Sequence, residues 1–405
     1  MGITLGVIKE GKTPPDKRVP LTPEQCVQVM KRFANVEVHV QKSPIRAFKD
    51  EEYTNLGIKV VDDLAHCDVI FGVKEVKIED LIPHKQFFFF SHTLKRQPYN
   101  RALLQAIVDK NIQLTDYEVL TNERKLRLIG FGRYAGIVGC YNGFRTYGLK
   151  HNLYDLKPAN ECFDRKEMEG ELAKVKLPNS TKIVLTGFGR VGYGAREILD
   201  LLPITEVDPD EFLTETFSGP VFAHLNVDYY NERSDGQAFD KSDFYEDGRG
   251  HVSTFPRFLK HADIYVACHF WKATSPFLIT RDDLKAEDLR TTVIADISCD
   301  IAGPIASTIR SSTIADPIYG YNPISEAEDD FQKKGVIAVM AVDNLPCELP
   351  KDASEDFGNE LIDKILPALL EKDPTGIIAR GSETTKEGKL SAYFSYLQSY
   401  LEGKE

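Results

Sequence analysis

KIVLTGFGRVGYGAREIL, residues Lys182–Leu199, begins with a short apolar run typical of a β-strand. Glycines follow at positions 187, 189, 192 and 194, and a helix-like pattern completes the segment. This order predicts a strand, a tight turn and the start of a helix. Gly187 allows the tight turn, Gly189 lets a ligand approach the backbone, and Gly192 lets the helix pack closely on the strand.

The free amides at the start of such a helix favour negative charge, so the pattern predicts a site for a dinucleotide pyrophosphate. Arg190 and Val191 complete the loop as cofactor-binding candidates. Asp208 follows about 20 residues later, where a ribose-binding acid is expected. Such an acid favours NAD and disfavours the 2′-phosphate of NADP, although Arg233 offers a partner for that phosphate. A purely structural glycine loop is the alternative interpretation.

The bulk properties narrow the class of protein. With 405 residues, the chain exceeds the roughly 250–300 residues at which a single core stops growing, so two domains are expected. The net charge of −12 argues against nucleic-acid binding, which needs a basic face. No apolar stretch is long enough to cross a bilayer. The seven cysteines have no metal-ligand spacing, so we expect reduced thiols, no metal and a cytoplasmic location.

Strand-like and helix-like patterns alternate along the chain, which predicts parallel sheets covered by helices. We expect an α/β fold in which two Rossmann-like domains, with parallel sheets, flank a central cleft. Residues 1–135 and 346–405 form the predicted substrate domain, and residues 136–345 form the dinucleotide domain. The polar segment 226–255 is an insertion without clear periodicity. Strand candidates are 4–8, 36–40, 68–72, 86–90, 112–115, 204–208, 221–225, 263–268, 292–297 and 336–342.

Polar side chains follow three predicted strands of the first domain. Lys74 and Glu75 follow one strand, His92 the next, and Glu118 a third. Open α/β sheets bind ligands at this edge, although strand ends also return to solvent without any function. A lysine near other cations, or a histidine, can be tuned to exchange protons near neutral pH. That is the chemistry a hydride-transfer enzyme needs.

Several motifs resemble the saccharopine dehydrogenase family, which belongs with the alanine dehydrogenases and transhydrogenases. The motifs are GVKEV (72–76), FFSHTLKRQ (89–97), DYEVL (116–120), GFGRYAG (130–136) and AVDNLPCELPKDASEDFG (341–358). Two branches compete: the fungal lysine-forming enzyme and the lysine–ketoglutarate reductase half of bifunctional lysine-degrading enzymes. The second domain resembles the reductase branch more closely, and Val191 stands where the fungal branch has a cysteine.

The resemblance implies an NAD(P)-dependent oxidoreductase that acts on a CH–NH bond. Its reaction would interconvert saccharopine with L-lysine and 2-oxoglutarate, with NAD as the expected cofactor and NADP as the alternative. A related alanine or opine dehydrogenase, or a dinucleotide-binding regulator without catalysis, are the competing functions. The physiological direction and the oligomeric state stay open.

The resemblance also implies two catalytic residues. Lys74 resembles the base that takes the proton from the secondary amine as hydride leaves. His92 resembles the acid/base that activates water on the resulting imine. Glu75 and Glu118 resemble neighbours that tune these two groups.

Further residues would bind substrate and cofactor. Arg18 and Lys95 resemble residues that hold substrate carboxylates, for which charge-assisted hydrogen bonds are needed. Lys12 and Arg133 are additional candidates for the same role. Asp343 resembles an acid near the nicotinamide.

Overall fold

The computed structural model describes residues 2–404, which form two compact units. Unit 1 contains the residues up to Phe131 and those from Pro350 onward, and unit 2 runs from Gly132 to Leu349. Each unit contains a β-sheet with accompanying helices, which confirms the predicted α/β fold. Within residues 2–404, every helix is too short or too polar to cross a membrane.

The secondary structure is numbered in chain order. The strands are β1 (Ile3–Val7), β2 (Val36–Gln41), β3 (Lys59–Val61), β4 (Val69–Phe71), β5 (Gln86–Phe89), β6 (Gln113–Asp116), β7 (Lys182–Thr186), β8 (Thr205–Glu206), β9 (Val221–Leu225), β10 (Asn231–Arg233), β11 (His251–Ser253), β12 (Ile264–Ala267), β13 (Val293–Asp296), β14 (Ile318–Asn322), β15 (Ala327–Asp329) and β16 (Ile337–Met340). The helices are α1 (Pro23–Arg32), α2 (Asp50–Thr54), α3 (Arg101–Asp109), α4 (Gly132–Lys150), α5 (Arg165–Glu171), α6 (Arg190–Leu199), α7 (Pro209–Thr214), α8 (Lys241–Glu246), α9 (Pro256–Leu259), α10 (Pro350–Glu360), α11 (Leu366–Leu370), α12 (Ile377–Gly381) and α13 (Gln398–Leu401).

The unit 1 sheet is parallel throughout, in the order β3-β2-β1-β4-β5-β6. The C-terminal ends of β1, β4, β5 and β6 therefore lie at one edge of the sheet. Thr22 and Gln25 form the capping box predicted at the start of α1. Helix α10 continues through a π-helical turn at Leu361–Ile365, and Phe357 and Leu361 complete the core formed by β1 and β2.

The unit 2 sheet is mixed, in the order β15-β14-β16-β13-β12-β7-β9-β8. Its central strands are parallel, but β14 runs antiparallel to β16, and β15 antiparallel to β14. The prediction of a parallel second sheet was therefore wrong at this edge. The 226–255 insertion contains helix α8 and the antiparallel ribbon β10–β11.

Helices α4 and α6 pack closely through glycines. A Cβ on Gly136 would lie 1.9 Å from the carbonyl oxygen of Val191, and one on Gly194 would lie 2.0 Å from that of Arg133. Carbon and oxygen cannot approach so closely. The glycines therefore offset their cost in helix propensity by letting the two backbones touch.

Candidate active site

Three side chains meet at the C-terminal edge of the unit 1 sheet. Nδ1 of His92, after β5, lies 2.5 Å from Oε1 of Glu75, after β4. The ammonium of Lys12 lies 3.4 Å from Oε2 of Glu75. Burial alone would raise the pKa of Glu75, but the hydrogen bond and charge of His92 lower it to about 2. The ionised carboxylate keeps a proton on Nδ1, so Nε2 is the imidazole nitrogen that can exchange protons.

Lys74 is a half-buried residue beside this cluster. Within residues 2–404, the Lys74 ammonium forms no ion pair. Burial, and then the charges of Arg18 and Lys12, lower the pKa of Lys74. A larger fraction of this amine is therefore neutral near physiological pH than for an ordinary lysine, as a general base requires.

Glu10 anchors the backbone that carries Lys74. Its Oε1 accepts a hydrogen bond of 2.7 Å from the amide of Val73, and its Oε2 accepts one of 2.9 Å from the amide of Lys74. Burial and the neighbouring Asp16 raise the pKa of Glu10 to about 8. Glu10 was not among the predicted site residues, although its place after β1 matches that of Lys74 after β4.

Arg18 is almost fully buried and is paired with Asp16. Its Nε donates to Oδ1 of Asp16 at 3.0 Å, and its Nη2 donates to Oδ2 at 2.6 Å. The guanidinium also lies 4.2 Å from the ring centre of Phe131. Burial would raise the pKa of Asp16, but Arg18 holds it well below its usual range. The role of Arg18 as a carboxylate-binding residue stays a prediction.

A buried network fixes the segment around His92, whose backbone is left-handed with a φ of 54°. Ser91 donates to Oδ2 of Asp116, through its amide at 2.8 Å and its hydroxyl at 2.5 Å. Thr93 donates to Oε2 of Glu383 at 2.6 Å, and the Ser91 hydroxyl reaches Oε1 at 3.0 Å. Burial and the adjacent Asp116 raise the pKa of Glu383 to about 8, so this acid pair retains a proton at neutral pH.

The two remaining unit 1 candidates have different surroundings. Lys95 is exposed on the segment after His92. Glu118 accepts a hydrogen bond of 3.0 Å from Arg127 through Oε1. Its Oε2 is buried and has no hydrogen-bond partner within residues 2–404. This oxygen can therefore accept a further hydrogen bond.

The glycine loop of unit 2 has the geometry expected for a pyrophosphate site. Gly187 has a φ of +96°, and a Cβ there would lie 2.4 Å from the carbonyl oxygen of Cys268, so only glycine fits. A Cβ on Gly192 would lie 1.8 Å from the Gly187 oxygen. Gly189 is exposed, has open space around it, and begins α6 without a side-chain cap. The first amides of α6 are therefore open to an anion.

His224 supports this loop from the neighbouring strand β9. Its Nε2 donates to the Gly187 oxygen at 2.7 Å, and its ring stacks on Phe188 with 3.8 Å between the ring centres. Burial lowers the pKa of His224, so the ring is neutral and donates through one nitrogen. No motif in the sequence singled out this residue.

Asp208 occupies an unexpected place in the sheet. It is exposed and caps α7 by accepting a hydrogen bond from the amide of Asp210 at 2.8 Å. The strand before it, β8, is outermost, and β9 is the neighbour of β7. Asn226 therefore directly follows the strand beside the glycine loop, with the Lys241 ammonium 3.2 Å from its Oδ1. The ribose-binding role of Asp208 stays a prediction.

The other candidates of unit 2 are spread over three places. Arg190 and Val191 form the first turn of α6. Arg133, predicted to bind substrate, forms a bidentate ion pair with Glu197 at 2.6 and 2.8 Å. Asp343 is exposed and follows β16. The structure thus brings Lys12, Lys74, Glu75 and His92 together, and assigns Arg133 to a separate ion pair.

Comparisons with known proteins bear on both units. The family model described as "Alanine dehydrogenase/PNT, N-terminal domain" matches residues 6–138. The chain is 30% identical over 402 residues to the alpha-aminoadipic semialdehyde synthase of Arabidopsis thaliana. The matched region covers 88% of this chain and 37% of the plant protein. It is 25% identical to the "Saccharopine dehydrogenase [NAD(+), L-lysine-forming]" of Neurospora crassa. The matched region covers 87% of each of the two chains.

Solved structures agree at the level of the fold. An L-alanine dehydrogenase matches with a TM-score of 0.65 at 17% identity over 98% of this chain and all of its own. The transhydrogenase from Sinorhizobium meliloti matches with a TM-score of 0.59 at 14% identity, over 96% of this chain and 98% of its own. The fold is thus that of a two-unit α/β protein of the alanine dehydrogenase and transhydrogenase type.

Within that class, the chain is similar in sequence to a saccharopine dehydrogenase and to an aminoadipic semialdehyde synthase, which confirms the resemblance seen in its motifs. It spans only 37% of the length of the plant synthase and 47% of the rat one.

Proposed function

We propose that this chain is an NAD(P)-dependent oxidoreductase that interconverts saccharopine with L-lysine and 2-oxoglutarate. The observation that carries the proposal is Lys74, half-buried and with a lowered pKa, beside the hydrogen-bonded pair of Glu75 and His92. Two proton-exchanging groups of different basicity suit a reaction that both removes a proton from an amine and activates water. The names of the relatives support the substrate class.

The residues would divide the chemistry as follows. The neutral Lys74 amine takes the proton from the secondary amine of saccharopine. His92, oriented by Glu75, removes a proton from water through Nε2 in the hydrolytic step. The unpartnered Oε2 of Glu118 offers an acceptor for the ammonium group of lysine. Lys12 and Lys95 supply positive charge for substrate carboxylates.

The dinucleotide, when bound, accepts or supplies the hydride. Gly187, Gly189 and Gly192, with the first amides of α6, would hold its pyrophosphate. We propose NAD as the cofactor, in line with the name of the Neurospora crassa relative. The Lys241 ammonium beside Asn226 would favour the 2′-phosphate of NADP, so both cofactors belong in the test.

The test follows absorbance of the reduced nicotinamide with L-lysine plus 2-oxoglutarate, and with NADH or NADPH in separate reactions. We expect oxidation of at least one cofactor, and reduction of the matching oxidised cofactor by saccharopine. Pyruvate plus ammonia serves as the comparison for alanine dehydrogenase activity. If the reduced cofactor is oxidised only with pyruvate and ammonia, the activity is that of an alanine dehydrogenase and the saccharopine assignment is wrong. No reaction with any pair would favour a non-catalytic dinucleotide-binding role.

A further inference from the structure

Three metal-ligating side chains converge in unit 1, apart from the cluster around Glu75. His39 lies on β2, and His66 and Cys67 lie in the connection between β3 and β4. Nδ1 of His39 is 2.6 Å from Nε2 of His66, and Sγ of Cys67 is 3.7 Å from the same nitrogen. All three ligand atoms lie within 4.8 Å of one another. The two imidazole nitrogens are at hydrogen-bond distance, and the thiol lies beside them.

The types of ligand atom indicate which metal ion this cluster would bind. Nitrogen and sulfur donors suit Zn²⁺, which binds imidazole at about 2.0–2.1 Å and thiolate at about 2.3 Å in a tetrahedral arrangement. Ligand atoms around such an ion lie about 3.3–3.6 Å apart. The two separations that involve His66, 2.6 and 3.7 Å, lie on either side of this range, and all three ligand atoms lie within 4.8 Å, so the side chains would adjust when the ion binds.

The surroundings of His39 match those of a metal ligand. Its Nε2 lies 3.0 Å from Oε2 of Glu37, which also accepts a hydrogen bond of 2.7 Å from the Lys59 ammonium. A carboxylate on one imidazole nitrogen holds the proton there and directs the lone pair of the other nitrogen outward. Metal-bound histidines usually have such an outer partner. For His39, the nitrogen left to bind is Nδ1, which faces His66.

The fold leaves these three side chains accessible from one side. Cys67 and His39 are buried, whereas His66 is exposed and offers a path from solvent. Gly6 pairs with His39 in the sheet, and a Cβ on Gly6 would lie 3.2 Å from Sγ of Cys67. A side chain at Gly6 would thus crowd the thiol.

We propose that His39, His66 and Cys67 form a Zn²⁺ site with its fourth position open to water. On binding, the Cys67 thiol releases its proton to solvent and its sulfur bonds to the ion, while both imidazoles bind as neutral ligands. The ion would tie β2 to the segment that precedes β4. The site is independent of the proposed oxidoreductase activity.

The test titrates the metal-free protein with Zn²⁺ by calorimetry and with Co²⁺ by absorbance. We expect one ion per chain, a tetrahedral Co²⁺ spectrum with a thiolate charge-transfer band, and a higher melting temperature with Zn²⁺. His66→Gln changes an exposed side chain and should weaken binding at least 10-fold. Cys67→Ala should abolish the thiolate band. Glu37→Gln should weaken binding about 10- to 100-fold, as expected for an outer partner.

Two variants in other parts of the chain provide matched controls: Cys162→Ser and His261→Gln should bind Zn²⁺ as the parent does. The proposal is overturned if the parent shows no thiolate band with Co²⁺. It is equally overturned if His66→Gln binds Zn²⁺ with unchanged affinity. Should Cys67→Ala fail to fold, the parent spectrum and the His66→Gln affinity decide the result.

Discussion

The surroundings of Lys74 change the acid–base behaviour of its amine. Its amide is held by Glu10, while its amine lies near Arg18 and Lys12 without an ion pair within residues 2–404. Both burial and neighbouring cations disfavour the charged ammonium. The motif GVKEV indicated Lys74 through a family resemblance. The role of Glu10 could be recognised only from the folded structure, because its hydrogen-bond partners are more than sixty residues away in the sequence.

Substitution of Lys74 or His92 tests the proposed proton transfers. Lys74→Met and His92→Gln should each lower turnover by about 10²-fold or more, because each removes a general acid or base. Steady-state rates of saccharopine oxidation over a range of pH measure the effect, and the acidic limb of the pH profile should change in Lys74→Met. Lys176→Met and His84→Gln, both exposed, are the controls. Equal rates in the parent and both site variants would remove these residues from the mechanism.

A substitution at Gly189 tests dinucleotide binding without affecting folding. Gly189→Ala has open space and a permitted backbone conformation, so stability should stay near that of the parent. The added methyl group would meet a bound pyrophosphate, so we expect the dissociation constant for NADH to rise at least 10-fold. Fluorescence titration measures this constant. Gly219→Ala, also in open space, is the control. Unchanged affinity in Gly189→Ala would argue against a pyrophosphate at this loop.

At the level of elements, the segment after β5 depends on residues from distant parts of the chain. Ser91 and Thr93 are held by Asp116 at the end of β6 and by Glu383 after α12. The two carboxylates are buried together, and their repulsion is relieved by a retained proton. The orientation of His92 therefore depends on an acid pair that no local pattern predicts.

Glu383 should make stability depend on pH. As pH rises from the ordinary glutamate value of 4.5 to about 8, the unfolded chain releases a proton that the native carboxyl retains. The native state then binds more protons than the unfolded state, so its stability falls across this window. Glu383→Gln removes this titration and keeps hydrogen-bonding capacity.

Urea denaturation at several pH values measures the effect. The free energy of unfolding should fall less with rising pH in Glu383→Gln than in the parent. Glu211→Gln, at an exposed position, should keep the parental dependence. A parallel pH dependence in Glu383→Gln and the parent would contradict the retained proton.

The contact between α4 and α6 gives a second prediction for an element. Gly136→Ala would place a carbon 1.9 Å from the Val191 oxygen, so the helices would have to separate. We expect the free energy of unfolding to fall by about 1–3 kcal/mol or more, as in overpacked cores. Gly170→Ala in α5 meets open space and should be neutral or stabilise by up to about 1 kcal/mol. Chemical denaturation of both variants checks the difference, and equal stabilities would refute the close contact.

The elements that the sequence predicts well are those with strong local signals. The limits of β9 agree with the prediction, and the capping box of α1 forms as expected. Strands β14 and β15 were missed, because IYGYN contains a central glycine and AED is short and polar. The position of β8 outside β9 was also missed, since periodicity identifies strands but not their neighbours. The ion pair of Arg133 with Glu197 was not predicted either, because it depends on how α4 packs against α6.

At the scale of the whole molecule, the two units differ in how the chain builds them. One large hydrophobic cluster of unit 2 uses residues between Val184 and Ala341. The unit 1 core combines early strands with Phe357, Leu361 and neighbouring residues from the far end of the chain. Phe131 stacks on Phe357 with 4.5 Å between ring centres, so the two segments of unit 1 meet directly.

Isolated segments should therefore behave differently. Residues 132–349 should unfold cooperatively on their own, because their core is self-contained. Residues 2–131 alone should lack a cooperative transition, because the apolar surface covered by α10 would be exposed. Joining residues 2–131 to 350–404 through a flexible linker should restore the transition. Thermal melts followed by circular dichroism check all three, and a stable 2–131 fragment would contradict the shared core.

This interrupted connectivity has a consequence for synthesis. At about 5–20 residues per second, the ribosome needs on the order of 10–40 s to make the segment between Phe131 and Pro350. The inserted unit can finish folding during that interval, whereas the strands made first must wait for their covering helix. We therefore expect nascent chains to carry an uncovered apolar sheet, and to need cellular chaperones most strongly just before the helices from Pro350 onward are made.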